Sequence, residues 1–113
     1  MITTKSGRRI LLPSKQYKAF EEEAMKQLLW MYGNIEPIDY PVNLKAIFYR
    51  EANYKSDLVN YMQALQDVLV KGGVLKDDNV KIVQSIDGSR LFTDKNYPRI
   101  EVEIERVKDD NNW

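Results

Sequence analysis

The chain has 113 residues, with 17 basic side chains balanced by 17 acidic ones, and it contains neither Cys nor His. Its length suits one domain burying roughly two thirds of its unfolded surface, and an apolar fraction of 43% marks a folded chain rather than a disordered one. Without Cys and His there are no disulfides, thiolate nucleophiles, histidine bases or usual zinc sites; carboxylates, hydroxyls and lysines remain for chemistry, and a catalytic metal has to be a hard, oxygen-bound cation such as Mg²⁺ or Mn²⁺.

In chain order, residues 8–12 (Arg-Arg-Ile-Leu-Leu) predict a short strand ended by Pro13. Ser14 suits a helix N-cap. Tyr17, Phe20, Ala24, Leu28 and Met31 then recur at steps of three and four, which predicts one apolar helix face closing at Gly33. The acid run Glu21, Glu22 and Glu23 lies mostly off that face. It reads as a solvated surface aided by a Glu22–Lys26 pair, in preference to a metal site. A loop with two prolines occupies 34–42. Leu44, Ala46 and Phe48 alternate with Lys45, Ile47 and Tyr49, a strand pattern.

A second helix is predicted from a Ser56 cap to Gly72-Gly73. Leu58, Tyr61, Met62, Leu65, Val68 and Leu69 form its buried stripe, while Asp57, Asn60, Ala64, Asp67 and Lys71 step along another face. Gly72-Gly73 lacks the Gly-x-x-x-x-Gly-Lys-Ser/Thr frame of a phosphate loop and reads as a helix end. Beyond the connection 74–79, Val80, Ile82 and Ile86 alternate as a strand. Asp87-Gly88 signals a two-residue hairpin, with 89–93 expected to return antiparallel. Ile100, Val102 and Ile104 face one way and Arg99, Glu101, Glu103 and Glu105 the other, giving a half-buried last strand. Residues 109–113 are expected to form a flexible tail. The expected fold is α+β, a single small domain over 1–113 with a mixed or antiparallel sheet and two helices packed on it. No apolar run reaches the length of a membrane span, and 1–18 lacks the apolar region of a signal peptide, so no membrane contact and a cytoplasmic location are expected.

Two acidic features can carry chemistry. Asp57 opens the second helix, where the helix dipole favours a carboxylate. Asp77-Asp78 follows one helix length later, just before a strand. If that strand returns beside the first turn of the helix, the two features converge. A divalent cation between them relieves carboxylate repulsion and activates water against a phosphodiester. The pattern by itself fits a dipole-complementing Asp and an Asp-Asp-Asn turn more readily.

The stretch Asp57-Leu58-Val59-Asn60-Tyr61-Met62-Gln63-Ala64-Leu65-Gln66-Asp67-Val68-Leu69, followed by Gly73-Val74-Leu75-Lys76-Asp77-Asp78-Asn79-Val80, resembles the signature of the RusA family of Holliday-junction resolvases. That signature is an opening with Asp and Asn, an apolar helix ending in Asp-x-Leu, and paired aspartates before a strand. Basic residues before the first helix, Gly7-Arg8-Arg9, fit as well. The resemblance covers roughly residues 5–107, and the block from Asp57 to Val80 is its specific part. It implies an endodeoxyribonuclease that cuts four-way junctions as a homodimer, by paired symmetric nicks in recombination and repair, with Mg²⁺ or Mn²⁺. By position it implies Asp57, Asp78 and Asp77 as catalytic aspartates and metal ligands. Asn60 would orient a ligand or stabilise the helix start. Asp67 matches the family's helix Asp, and an ion pair with Lys71 explains it at least as well. Expected DNA contacts are Lys5, Arg8, Arg9, Lys15, Lys55, Lys71, Lys76 and Arg90, chiefly to phosphates. Tyr49 and Tyr54 read as packing first and as base-stacking groups second.

Two departures from the family pattern weaken the site. Val59 stands where members can carry a second Asp, and Gln63 where they can carry a Lys, so one ligand and one charge for the leaving oxygen are missing. Glu51 can replace the ligand but reads rather as structural. The family's opening strand is also short or missing before Lys5, which exposes a sheet edge to a second subunit or reflects a truncated start. Two further readings follow. One is a RusA-like module that binds branched DNA with weak or no cleavage. The other is a protein-interaction domain with no nucleic-acid role, in keeping with zero net charge and an acidic last strand.

Overall fold

The computed structural model describes residues 7–13, 24, 26–31, 34–52, 58–79 and 81–107, with 7–9 and 13 described by their backbone alone. In chain order they form β1 (Gly7–Pro13), α1 (helical at 24 and 26–31), β2 (Val42–Arg50), α2 (Leu58–Lys71), β3 (Val83–Ser85), β4 (Arg90–Thr93) and β5 (Arg99–Arg106). The sheet runs β1-β5-β2, and β3 and β4 share the far side of β2. β1 and β2 are antiparallel to β5, while β3 and β4 are parallel to β2, so the sheet is mixed.

Alternation places the core. On β2, Val42, Leu44, Ala46 and Phe48 are buried, and Asn43, Lys45, Ile47 and Tyr49 are half-buried on the opposite face. Register sets Ile10 of β1 and Ala46 of β2 on either side of Val102 of β5, so the buried residues of three strands share one face. Ala24 and Leu28 of α1 and Met62, Leu65, Val68 and Leu69 of α2 close over it in a single cluster. Each large side chain buried there contributes about 1.5–3 kcal/mol. Both helices thus lie on one side of one sheet, as the α+β expectation has it. They approach closely at Gly72, where a Cβ would sit 2.7 Å from Leu28 Cβ.

Several local expectations change. Met31 is exposed and leaves the apolar face of α1, and Ser14, Tyr17, Phe20, Glu21, Glu22, Glu23 and Gly33 lie outside the described residues. On α2, Ala64 is buried, so the exposed row is Asn60, Gln63, Asp67 and Lys71; Ser56 lies outside the described residues. The strand expected from Val80, Ile82 and Ile86 contracts to Val83–Ser85. The Ile82 and Val83 amides donate instead to the Asn79 carbonyl, both at 2.9 Å, and Ile86 is exposed, while Val80 lies outside the described residues. The tail 109–113 also lies outside them.

Asp87-Gly88 does not make a hairpin. Val42 pairs with Val83, and Ile47–Arg50 pairs with Arg90–Thr93, all in parallel, so the chain keeps its direction through 86–89. Gly88 has the positive φ of a turn, +86°, yet the bend is only local. Asn43 of β2 bridges the gap: its Oδ1 accepts from the Asp87 amide at 2.8 Å and Ser85 Oγ at 2.6 Å, and its Nδ2 donates to the Asp87 carbonyl at 3.1 Å. Ser89 Oγ accepts the Ala46 amide at 3.1 Å. Side chains replace the missing rungs, and the unbroken edge of β2 overrides the turn signal.

The β2-α2-β3 unit is a crossover between parallel strands. Tyr61 in the first turns of α2 meets Phe48 near the end of β2, with ring centroids 5.4 Å apart. Beyond α2, the Ile38 amide donates to Val74 at 2.8 Å and the Lys76 amide to Ile38 at 2.9 Å, just ahead of the start of β2. α2 therefore runs the length of β2 in reverse. None of the described helices is long and apolar enough to cross a membrane.

Candidate active site and nucleic-acid interface

Asp77 and Asp78 sit exposed in the connection that leaves α2. Asp77 holds the loop together: Oδ1 accepts the Asp78 amide at 2.7 Å, and Oδ2 accepts Asn79 Nδ2 at 3.1 Å. Asn79 Oδ1 in turn accepts the Lys81 amide at 2.9 Å. Such side-chain-to-backbone bonds are what Asp and Asn supply to a turn. The Asp78 carboxylate has no hydrogen-bond or ion-pair partner among the described residues. Of the pair, Asp77 shapes the loop and Asp78 presents a carboxylate to solvent.

Asp57 lies outside the described residues. Leu58, the first described residue of α2, is separated from the acid pair by the helix, whose 14 residues span about 20 Å. A strand does follow the acid pair, but it enters beside Val42, at the end of α2 away from Leu58. The segment that reaches the Leu58 end is β4, where the Asp94 amide donates to the Arg50 carbonyl at 2.7 Å. β3, the strand that follows the acid pair, thus does not return beside Leu58. Among the described residues no three acidic side chains gather as a metal cage.

The other expected site residues are scattered. Asp67 pairs with Lys71 at 3.0 Å, an exposed i,i+4 ion pair of about 0.3–0.5 kcal/mol. Asn60 and Gln63 are exposed, and Val59 beside them is 70% exposed, an apolar side chain turned to water. Glu51 is exposed just past β2. Lys76 and Arg90 are exposed, the first in the acid-pair connection and the second on β4 opposite Ile47. Arg8 and Arg9 stand on β1 opposite Ile104 and Glu103. Lys5, Lys15, Tyr54 and Lys55 lie outside the described residues.

The sheet face away from the helices carries a cluster that the sequence reading did not single out. Phe92, Tyr49 and Arg99 stand in register across β4, β2 and β5. The Phe92 and Tyr49 rings stack with centroids 5.7 Å apart and planes inclined by 26°. The Arg99 guanidinium lies 3.7 Å from the centre of Tyr49 and 4.7 Å from that of Tyr97. Arg99 is held by bonds of 2.9 Å to Glu101 Oε2, Asp94 Oδ2 and the Tyr97 carbonyl. The Arg99 hydrogen bond holds the Asp94 carboxyl below its ordinary range, and the Asn96 and Tyr97 amides add to this. Glu101, and then Asp94, push the guanidinium upward. Tyr49 is flanked on both sides, so it packs and has no free face for a base. The exposed rings are those at the ends, Phe92 at 45% and Tyr97 at 53%. Period-two alternation put Tyr49 and Arg99 on the outer face, but their register was not legible.

The family model for the endodeoxyribonuclease RusA matches residues 1–105 of the chain, which takes in all the described elements except the last residue of β5. No curated protein matches the chain significantly.

Proposed function

Because the chain belongs to the RusA endodeoxyribonuclease family, we propose that it is a metal-dependent nuclease resolving four-way DNA junctions by paired symmetric nicks, in recombination and repair. The observation that supports this most is Asp78: an exposed carboxylate with no partner among the described residues, set in a loop built by Asp77 and Asn79. The donors fit a hard cation, since Asp57, Asp77 and Asp78 offer only oxygen, as Mg²⁺ and Mn²⁺ prefer. When bound, such an ion offsets the charge of the phosphate and activates water. In this chain, Asp77 positions the loop, Asp78 presents its carboxylate, and Lys76 and Arg90 are available to phosphates. Its place is the cytoplasm.

We infer a homodimer as well, since a two-fold junction calls for two symmetric sites. About 20 Å of helix stands between Leu58 and the far end of α2, which supports a site completed by a second copy. A two-fold axis sets the start of one helix against the far end of its partner's, and so builds two equivalent sites for the two opposed strands. The exposed apolar side chains Leu29, Trp30 and Met31 follow Leu28 on α1, whose approach to Gly72 lies at the acid-pair end of α2, and give a second copy a surface to cover.

The test is a synthetic four-way junction incubated with the chain and Mg²⁺ or Mn²⁺. Paired nicks are expected, and Asp78→Asn should lower their rate on the order of a hundred-fold or more while junction binding persists. Equal nicking by Asp78→Asn would remove the site. Junction-selective binding without nicks by the wild type would favour the second reading, a branched-DNA-binding module, which exposed Val59 and Gln63 in place of Asp and Lys make the natural alternative.

A further inference from the structure

Among the described residues, the ladder on the sheet face away from the helices ends at Phe92. Phe92 stacks on Tyr49, Tyr49 on Arg99, and Arg99 is locked by Glu101, Asp94 and the Tyr97 carbonyl. The inner face of Phe92 is therefore backed by a fixed stack. Its outer side lies at a sheet edge, for no described strand pairs with β4 on the side away from β2. Because the ring is already ordered, a flat partner stacks on it without the cost of fixing a loose side chain.

The surrounding charge narrows the partner. Arg90 shares the outer face of β4 with Phe92 by period-two alternation, and Lys95 follows the strand; both are exposed, with no ion pair among the described residues. Asp94, the acid between them, is taken by Arg99 at 2.9 Å. A ring flanked by two available cations suits a planar group carried on phosphates. Location agrees: β4 ends where the Asp94 amide bonds Arg50, whose guanidinium lies 5.9 Å from the Tyr61 ring at the Leu58 end of α2.

We propose that Phe92 stacks an unpaired base of the DNA substrate, the base adding the next rung to the Arg99–Tyr49–Phe92 ladder while Arg90 and Lys95 contact the adjoining phosphates. Paired bases keep their faces within the duplex stack, so the ring selects DNA with an opened nucleotide, as at a branch point. The inference rests on the DNA-cleaving reading but uses none of its acidic residues.

The experiment measures affinity for two DNAs, a fully paired duplex and a four-way junction carrying unpaired 2-aminopurine at the branch. For Phe92→Ala the preference for the junction over the duplex should fall about ten-fold, and the quenching of 2-aminopurine on binding should be lost. Phe92→Trp should restore both. Phe92→Leu keeps bulk without the ring, and should behave as Phe92→Ala if stacking matters rather than folding. An unchanged preference and unchanged quenching in Phe92→Ala would overturn the proposal alone. So would a loss of affinity that only follows weakened self-association, which would assign the ring to contact with a second copy. A wild type that binds neither DNA would overturn this inference and the nuclease reading together.

Discussion

Arg99 directs its donors to Glu101, Asp94 and the Tyr97 carbonyl and lays its planar face between two tyrosines, which leaves its side chain 16% exposed. Asp67 and Lys71 make the same kind of charge pair, yet both side chains are about half exposed. Salt and side-chain entropy weaken the second pair far more than the first. The depressed Asp94 carboxyl has a definite sign in pH. A group with a lowered folded pKa contributes its stability in full above the unfolded value, and loses it as pH falls through the folded one. The stability difference between wild type and Asp94→Asn should accordingly hold from neutral pH down to the ordinary value of 3.8 and narrow below it. Thermal melts of both chains across that range check this; a difference independent of pH would mean that Asp94 acts by shape and not by charge.

Among the elements, the pair β3 and β4 shows a local signal redirected by its neighbour. The turn chemistry at Asp87-Gly88 is present, with Gly88 at φ +86°. The direction of the chain after it is set by β2, whose edge accepts β4 in parallel. Asn43 makes three of the bonds that span the break, so Asn43→Ala should cost about 1–3 kcal/mol. Urea unfolding should show this as a lower midpoint at an unchanged slope. A midpoint equal to wild type would show that backbone pairing alone holds the bend. The long elements were legible because their apolar residues repeat over many positions: the buried row of β2, that of β5 and the stripe of α2 all lie where periodicity put them. Ala64 was misplaced because a small residue suits either face of a helix. The three-residue β3 is too short to show a period at all.

For the whole molecule, the distance from Leu58 to the acid pair is the decisive one. With about 20 Å of helix between Leu58 and the far end of α2, completion of a site by a second copy makes a direct prediction. Chains carrying Asp57→Asn and chains carrying Asp78→Asn should each be inert, and a mixture should regain nicking, because mixed dimers hold one site with both carboxylates. A mixture as inert as its components would place both carboxylates of each site on one chain. Residue types limited the chemistry to oxygen ligands, while the resemblance of the block from Asp57 to Val80, and not its spacing alone, pointed to DNA; the family match agrees with that resemblance. The roles within the acid pair were not legible, since they depend on which of Asp77 and Asp78 bonds the loop.

The sequence by itself determined the family, the exclusion of thiol and imidazole chemistry, and the faces that form the core. These follow from residue identity and short-range period, which are properties of a local window. Only the tertiary structure decided the direction of β4, the Asn43 bridge to a residue 44 positions away, the Phe92–Tyr49–Arg99 ladder and the distance from Leu58 to the acid pair. Each depends on register or helix direction between strands remote in sequence, and that is set when the whole sheet closes over one buried face.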